Sequence, residues 1–271
     1  MLKDITIGQY FPGSSPIHKL DPRIKIILTL AYIVMLFLTS NAIGFLIPIV
    51  LLIFLYLLSK IPLKMIFKSM KPIIPIILIT GVLNLFFVDG DVLWHWWIFT
   101  ITKQGVAMSI LMAIRILCLI AGTSLLTYTT SPIALTDGIE RLLSPLKKIH
   151  FPAHELAMMM TIALRFIPTL IEETDKIMSA QKARGADMES GGLIQRAKAL
   201  IPILIPLFIS AFRRAEELAL AMECRCYHGG EGRTRMKQLR LGLRDLMASL
   251  VIAGCIAAIV LVNLFVPIGA M

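Results

Sequence analysis

Two arginines carry the strongest chemical signal in these 271 residues. Arg184 stands in Gln181-Lys182-Ala183-Arg184-Gly185, and Arg225 in Ala221-Met222-Glu223-Cys224-Arg225-Cys226-Tyr227. Each closes a long helical pattern, where a cation suits the exposed terminal carbonyls. Each is flanked by small residues, Ala183 and Gly185 in the first case, Cys224 and Cys226 in the second. A guanidinium standing clear of its neighbours can enter a groove on another protein and take a carboxylate through paired hydrogen bonds. An Arg-Gly helix end is also ordinary capping chemistry. Its recurrence on two consecutive long helices points to docking.

Other reactive residues form no site. His150 and His154 are four apart beside Glu155, but the order is not His-Glu-x-x-His and Pro152 interrupts the helix such a motif needs. Cys224-x-Cys226 lacks a second pair of zinc ligands. No Walker A sequence is present, and the glycine-rich run from His228 to Arg233 follows no strand, so it reads as a turn. The five histidines and the carboxylates form no cluster of the kind a membrane-embedded enzyme needs. The reading is therefore no catalytic residue, no metal and no cofactor. Cys118, Cys224, Cys226 and Cys255 are too scattered for a disulfide framework.

The elements that position the arginines follow from composition. The chain is 57% apolar and 16% charged, with a mean hydropathy of +0.82, against about 45–50% and about 25% in soluble domains. That excess needs lipid as solvent. Apolar runs at 24–40, 42–59, 72–88, 106–128 and 246–268 are each near the length of a bilayer span, the first two forming a hairpin across Asn41. Residues 1–23 lack the apolar core of a cleavable signal peptide. The net charge of +10, which in a soluble protein would suggest nucleic acid, is read here as the bias of cytoplasmic loops toward Lys and Arg. Four basic residues precede or open the first span, four fill 60–71 and seventeen lie in 129–245, which places 25 of the 27 on one side. Lys103 and Arg115 are the exceptions. The expectation is an all-α integral membrane protein with about five transmembrane helices, N-terminus in and C-terminus out, plus a cytoplasmic coupling module of long amphipathic helices. Trp94, Trp96, Trp97 and Phe99 suit an interfacial belt on the far side.

Three regions result: 1–128 with four spans, 129–245 in the cytoplasm, and 246–271 with the last span. Within 129–245, Ser131-Pro132 opens a short helix that reaches 149 and breaks at Pro145. Longer helices run from about 153 to 185 and from about 193 to 227, separated by Gly191-Gly192. Both start apolar around prolines and become charged toward their ends, with Glu172–Lys176 and Arg213–Glu217 spaced for i,i+4 pairs. The basic run 233–244 suits anionic headgroups better than nucleic acid. Arg115 is the one ionisable residue well inside a span, and such residues are costly there. It is expected to face the bundle and bond carbonyls or Asn84.

The sequence resembles the transmembrane (T) component of energy-coupling factor transporters, ABC-type importers of vitamins and other micronutrients in prokaryotes. Four stretches between residue 18 and about 235 carry the resemblance. They are His18-Lys19-Leu20-Asp21-Pro22-Arg23-Ile24-Lys25; Thr129-Thr130-Ser131-Pro132 with Leu135-Thr136-Asp137; Leu164-Arg165-Phe166-Ile167-Pro168-Thr169 leading to Gln181-Lys182-Ala183-Arg184-Gly185-Ala186; and Arg213-Arg214-Ala215-Glu216-Glu217-Leu218-Ala219 leading to Cys224-Arg225-Cys226-Tyr227. The resemblance implies two cytoplasmic ABC ATPases as partners, docked by Arg184 and Arg225, and a substrate-binding membrane subunit, the S component, held on the rest of the coupling surface. It implies a component shared by several S components, and ATP hydrolysis in other chains. The cysteines around Arg225 depart from the commoner Ala-Arg-Gly and put the glycine cap geometry in question. A self-contained secondary transporter or channel is the alternative; it wants inverted repeats and intramembrane charges, which five spans with one arginine supply poorly.

Overall fold

The computed structural model describes residues 10–39, 41–96, 99–149, 151–186, 192–229, 239 and 241–265. These residues give nine α-helices and one two-stranded hairpin. The helices are α1 (Pro22–Leu38), α2 (Leu46–Ser59), α3 (Leu63–Met70), α4 (Ile74–Phe87), α5 (Lys103–Thr129), α6 (Pro132–Leu143), α7 (Ala153–Ala183), α8 (Leu193–Glu223) and α9 (Leu243–Phe265). The hairpin pairs β1 (Val92–Trp96) with β2 (Phe99–Thr102) antiparallel. The fold is an all-α membrane protein. Large apolar side chains face outward along its helices, with Leu57 and Leu264 about three-quarters exposed, as expected where lipid is the solvent.

The chain divides into two compact units, one of residues 8–138 with 239–271, the other of residues 1–7 with 139–238. In the first unit α5 packs against α1, α2, α3 and α4, and α1 packs against α9. Met35, Leu36, Phe45 and Ile259 are fully enclosed. A second cluster joins Tyr56 and Ile61 to Ala121, Leu125 and Tyr128. Each buried tyrosine hydroxyl donates to a backbone carbonyl: Tyr32 to Cys118, Tyr56 to Ala121 and Tyr128 to Met65. A Cβ on Gly122 would stand 2.3 Å from the Tyr32 ring, so the approach of α1 to α5 requires glycine there.

Four helical stretches are long and apolar enough to cross a bilayer: Lys64–Phe87, Lys103–Thr129, Ala153–Ala183 and Leu243–Phe265. They differ from the sequence reading in two respects. The first expected span keeps its 17 residues but begins and ends two residues earlier, as α1, and the second shortens to the 14 residues of α2, so that Thr39 and residues 41–45 lie between the helices rather than Asn41 alone. Ser40, the last residue of the expected first span, lies outside the described residues. At about 1.5 Å per residue, α2 reaches only about 20 Å of the roughly 30 Å hydrocarbon core. In addition α7, assigned above to the cytoplasmic module, meets the same length and composition test as the spans. Its charges gather in its last turns, so its average stays apolar. Residues 266–268 of the expected last span, together with Gly191, Trp97 and His150, lie outside the described residues.

The first unit is tied together where helices end. Asp21 caps α1 by accepting from the Arg23 amide, and both its oxygens take the Arg23 guanidinium at 3.1 and 2.8 Å. The Asp21 amide donates to Asp245 Oδ1 at 2.9 Å, and Asp245 Oδ2 takes the Gly242 amide at the start of α9. Lys25, 5% exposed, directs Nζ at the carbonyls of His18 and Thr129 and the hydroxyl of Thr130, at 3.2, 2.9 and 3.2 Å. Three acceptors use all three ammonium protons, and two of them close the C-terminal end of α5, where a cation is favoured. His18 is fixed in the preceding loop, with Nδ1 2.7 Å from the Ser15 hydroxyl and Nε2 2.9 Å from the Phe11 carbonyl. Burial, aided by the charge of Lys25, holds the His18 pKa below its usual value.

Lys25→Met would leave these buried acceptors unpaired beside two carboxylates. It should cost about 3 kcal/mol, read as a lowered melting temperature of the purified protein. Because the folded state binds the His18 proton more weakly than the unfolded chain does, His18 favours folding fully above the unfolded value of about 6.5. Thermal stability should therefore fall as pH drops below that value, and His18→Gln should flatten the fall.

Candidate functional site

Both long helices of the second unit, α7 and α8, contain 31 residues and run through interior prolines, Pro168 in one and Pro202 with Pro206 in the other. They pack against each other. Glu173 of α7 accepts from the Ser210 hydroxyl and pairs with Arg214 at 3.0 Å, while Gln181 donates to the Pro202 carbonyl at 3.4 Å. Moving forward along α7 thus means moving backward along α8: the helices are antiparallel at their contact. The ion pair recorded here joins the two helices, whereas the sequence spacing favoured pairs within each, Glu172–Lys176 and Arg213–Glu217. Glu173 and Arg214 are half-buried at the seam, whereas Glu172, Lys176, Arg213 and Glu217 are exposed.

Antiparallel packing sends the two C-terminal ends apart. At the rise of an α-helix, Arg184 lies about 15 Å from the Glu173 contact in one direction, and Arg225 about 20 Å from it in the other. Both ends stop the helix in the same way. Beyond α7 the Gly185 amide donates to the Lys182 carbonyl at 3.0 Å and the Ala186 amide to Gln181 at 3.0 Å, with Gly185 at φ +84°. Beyond α8 the Cys226 amide donates to Glu223 at 2.8 Å and the Tyr227 amide to Met222 at 3.1 Å, with Cys226 at φ +55°. Each is a Schellman motif, whose left-handed residue usually is glycine. The doubt raised by cysteine at 226 is thereby resolved: Cys226 takes the left-handed conformation itself. Ala183, Arg184, Gly185, Cys224, Arg225 and Cys226 are all exposed, and both cysteines are free thiols. The result is two equivalent arginine tips at opposite ends of one helix pair.

The intramembrane polar residues do not meet. Asn84 donates to the Thr80 carbonyl one turn back in its own helix. Arg115 reaches the Thr39 carbonyl at 2.8 Å, at the C-terminal end of α1, and lies over the rings of Phe45 and Phe37 at 5.3 and 5.9 Å. From α9, Asn263 donates to the neighbouring Leu38 carbonyl at 2.7 Å. Arg115 thus caps α1, where a cation opposes the negative end of the helix dipole, and two ring faces shelter its charge. Of the residues set aside in the sequence, His154 bonds Glu140 at 2.9 Å. Most of the basic run 233–244, and of the glycine-rich run before it, lies outside the described residues. Sequence reasoning missed the Lys25, Asp21 and Asp245 cluster; its signal was three ionisable residues set flush against the starts of apolar runs.

Comparison with known proteins extends this geometry. Residues 13–236 match the CbiQ family, described as cobalt transport protein. A protein of Clostridium kluyveri called energy-coupling factor transporter transmembrane protein EcfT is 60% identical over 92% of this chain and 93% of its own length. The chain belongs to the family of energy-coupling factor transporter transmembrane proteins. Family members of the same name from Ruminiclostridium cellulolyticum and Thermosediminibacter oceani are 57% and 58% identical, over 92% and 91% of this chain and 93% of each relative. With four helices of bilayer length, this member of the family is a multi-pass membrane protein of prokaryotes.

The two caps give a direct test of their equivalence. Cys226→Gly should stabilise the α8 end by about 1 kcal/mol by removing left-handed strain while leaving function intact. Gly185→Ala has open space around its Cβ, so its cost should be that same strain, about 1 kcal/mol. Proteolysis rates at the two helix ends, which follow local opening, would measure both.

Proposed function

We propose that this chain is the transmembrane scaffold of an energy-coupling factor importer that brings a vitamin or other micronutrient into the cell. In this reading Arg184 and Arg225 each enter a groove on one of two cytoplasmic ABC ATPases, and the rest of the α7–α8 surface holds a substrate-binding membrane S component, with several S components sharing the scaffold. The observation that carries it is the pair of exposed, identically capped arginines at opposite ends of antiparallel α7 and α8. One arginine would suit one partner; two facing apart suit two.

The mechanism follows from rigidity. ATP binding and hydrolysis, supplied by the partners, bring the ATPases together and apart. An arginine at the end of a capped helix, clasped by a carboxylate on two donors, moves with its ATPase. Because α7 and α8 are locked by Glu173, Ser210 and Arg214, displacement of either tip is carried to their crossing rather than lost in bending. There it would tilt the S component and release its substrate inside. This chain contributes no chemical step and takes no cofactor. The reading includes an N-in, C-out orientation and the division into 1–128, 129–245 and 246–271 given above, and membrane lipid rather than nucleic acid as the partner of the basic loops.

Arg184→Glu combined with Arg225→Glu should abolish co-purification of the ATPases and substrate uptake, while the protein still inserts in the membrane. Each single reversal should weaken docking about 100-fold or more, the scale of losing a buried charge pair. Co-purification counted by mass spectrometry decides it, and unchanged transport by the double variant would overturn the proposal.

A further inference from the structure

The first unit contains a cavity of about 370 Å³ between α1, α2, α5 and α9. Leu28 and Tyr32 of α1, Leu55 of α2, Leu125 of α5, and Ala248 and Ile252 of α9 form its walls. Its charged groups gather at one end, where Lys25, Thr129 and Arg244 line it, while Thr29 stands one turn further along α1 and Tyr32, its hydroxyl donated to the Cys118 carbonyl, lies at the other end. From Lys25 to Tyr32 along α1 the cavity runs about 10 Å deep. It is therefore a largely apolar slot with one basic end. Phe54, Met247 and Val251, which also line it, are about half or more exposed. The slot thus opens sideways through apolar side chains, on the faces that lipid covers.

Charge at the basic end is unbalanced in a specific way. Lys25 is saturated by its three acceptors. Asp21 is engaged by Arg23 and the Arg23 amide, and Asp245 by two backbone amides. Arg244, in the first turn of α9, is exposed, and among the described residues no carboxylate pairs with it. A guanidinium at a helix start, beside amides that already favour negative charge, is left to face whatever occupies the mouth of the slot. We infer that this slot is a lipid site: one acyl chain of an anionic phospholipid lies between α1, α2 and α9, and Arg244 binds its phosphate. A chain of methylenes suits an apolar slot about 10 Å deep that opens sideways through apolar side chains. By the distribution of basic loops, this end lies at the cytoplasmic headgroup level, where anionic lipid concentrates; only the choice of leaflet rests on the orientation proposed above.

Native mass spectrometry of the purified full chain tests this without ATPase or S component, so its outcome is separate from that of the docking proposal. The protein is incubated in detergent with equal amounts of phosphatidylglycerol and phosphatidylcholine bearing the same acyl chains. The expected result is preferential retention of phosphatidylglycerol by about fivefold, the scale of one basic side chain against an anionic headgroup. Arg244→Gln, an exposed change that leaves the fold intact, should equalise the two lipids. Ala248→Phe, which fills the slot, should reduce retention of both. Soluble glycerol phosphate should displace neither. Equal retention by the unaltered chain, an unchanged preference in Arg244→Gln, displacement by glycerol phosphate, or a dimer in place of a lipid adduct would each overturn the proposal.

Discussion

A single buried ammonium sets the terms for the membrane unit. Lys25 sits almost wholly out of contact with solvent, and such a charge is tolerable only if every proton finds an acceptor and opposite charge lies near. The acceptors come from the loop before α1 and from the end of α5. The nearby carboxylates come from the start of α1 and the first turn of α9. Three helices far apart in sequence must therefore end at one place. Moving any of them by even one turn would strand a buried charge or several carbonyls. The arrangement specifies register more than it adds stability, since an apolar substitute for a complete ionic cluster can be as stable.

The opposite end of α1 is closed by the same two neighbours. Asn263 of α9 takes the Leu38 carbonyl and Arg115 of α5 takes the Thr39 carbonyl. One helix of 17 residues is thus held at both ends by α5 and α9, with Gly122 admitting Tyr32 between them. An arginine within a span invites a transport role, yet its bond to the Thr39 carbonyl and its two ring neighbours place it as a cap, with its buried Nε left unpaired among the described residues. The three helices are therefore fixed to one another at both ends of α1.

The sequence showed helix-rich membrane architecture plainly, because apolar runs of bilayer length depend only on composition. It also placed the ends of α7 and α8 to within a few residues, since Arg-Gly and the change from apolar to charged mark a stop. What it could not show was pairing. Glu173 and Glu172 are equally well placed for a partner on paper, and only the antiparallel seam chooses Glu173 and Arg214. Nor could Asn84 and Arg115 be separated by inspection: both are polar residues in spans, but α1 presents open carbonyls to one and α4 satisfies the other. The length of α2 failed for a related reason. Residues 42–45 are apolar enough to open a span, yet they turn before α2 begins, with the Phe45 amide donating to the Asn41 carbonyl and Arg115 taking the Thr39 carbonyl.

The two arginine tips show what a motif encodes. Gly185 and Cys226 share no side-chain chemistry, yet both take a left-handed φ and both donate to the carbonyl three residues back, while the residue after each donates to the carbonyl five back. Glycine meets this requirement without strain, and cysteine meets it at the cost that any side chain incurs there. The cap is thus a property of the backbone, imposed because the helix must stop immediately after its arginine. A stop one residue later would leave the arginine on its face but turn the exit of the following chain by about 100° around the helix axis. Small residues on either side keep the guanidinium clear, while the left-handed turn directs the following chain away. Equivalent geometry from unlike sequences is what two similar grooves would demand of one chain.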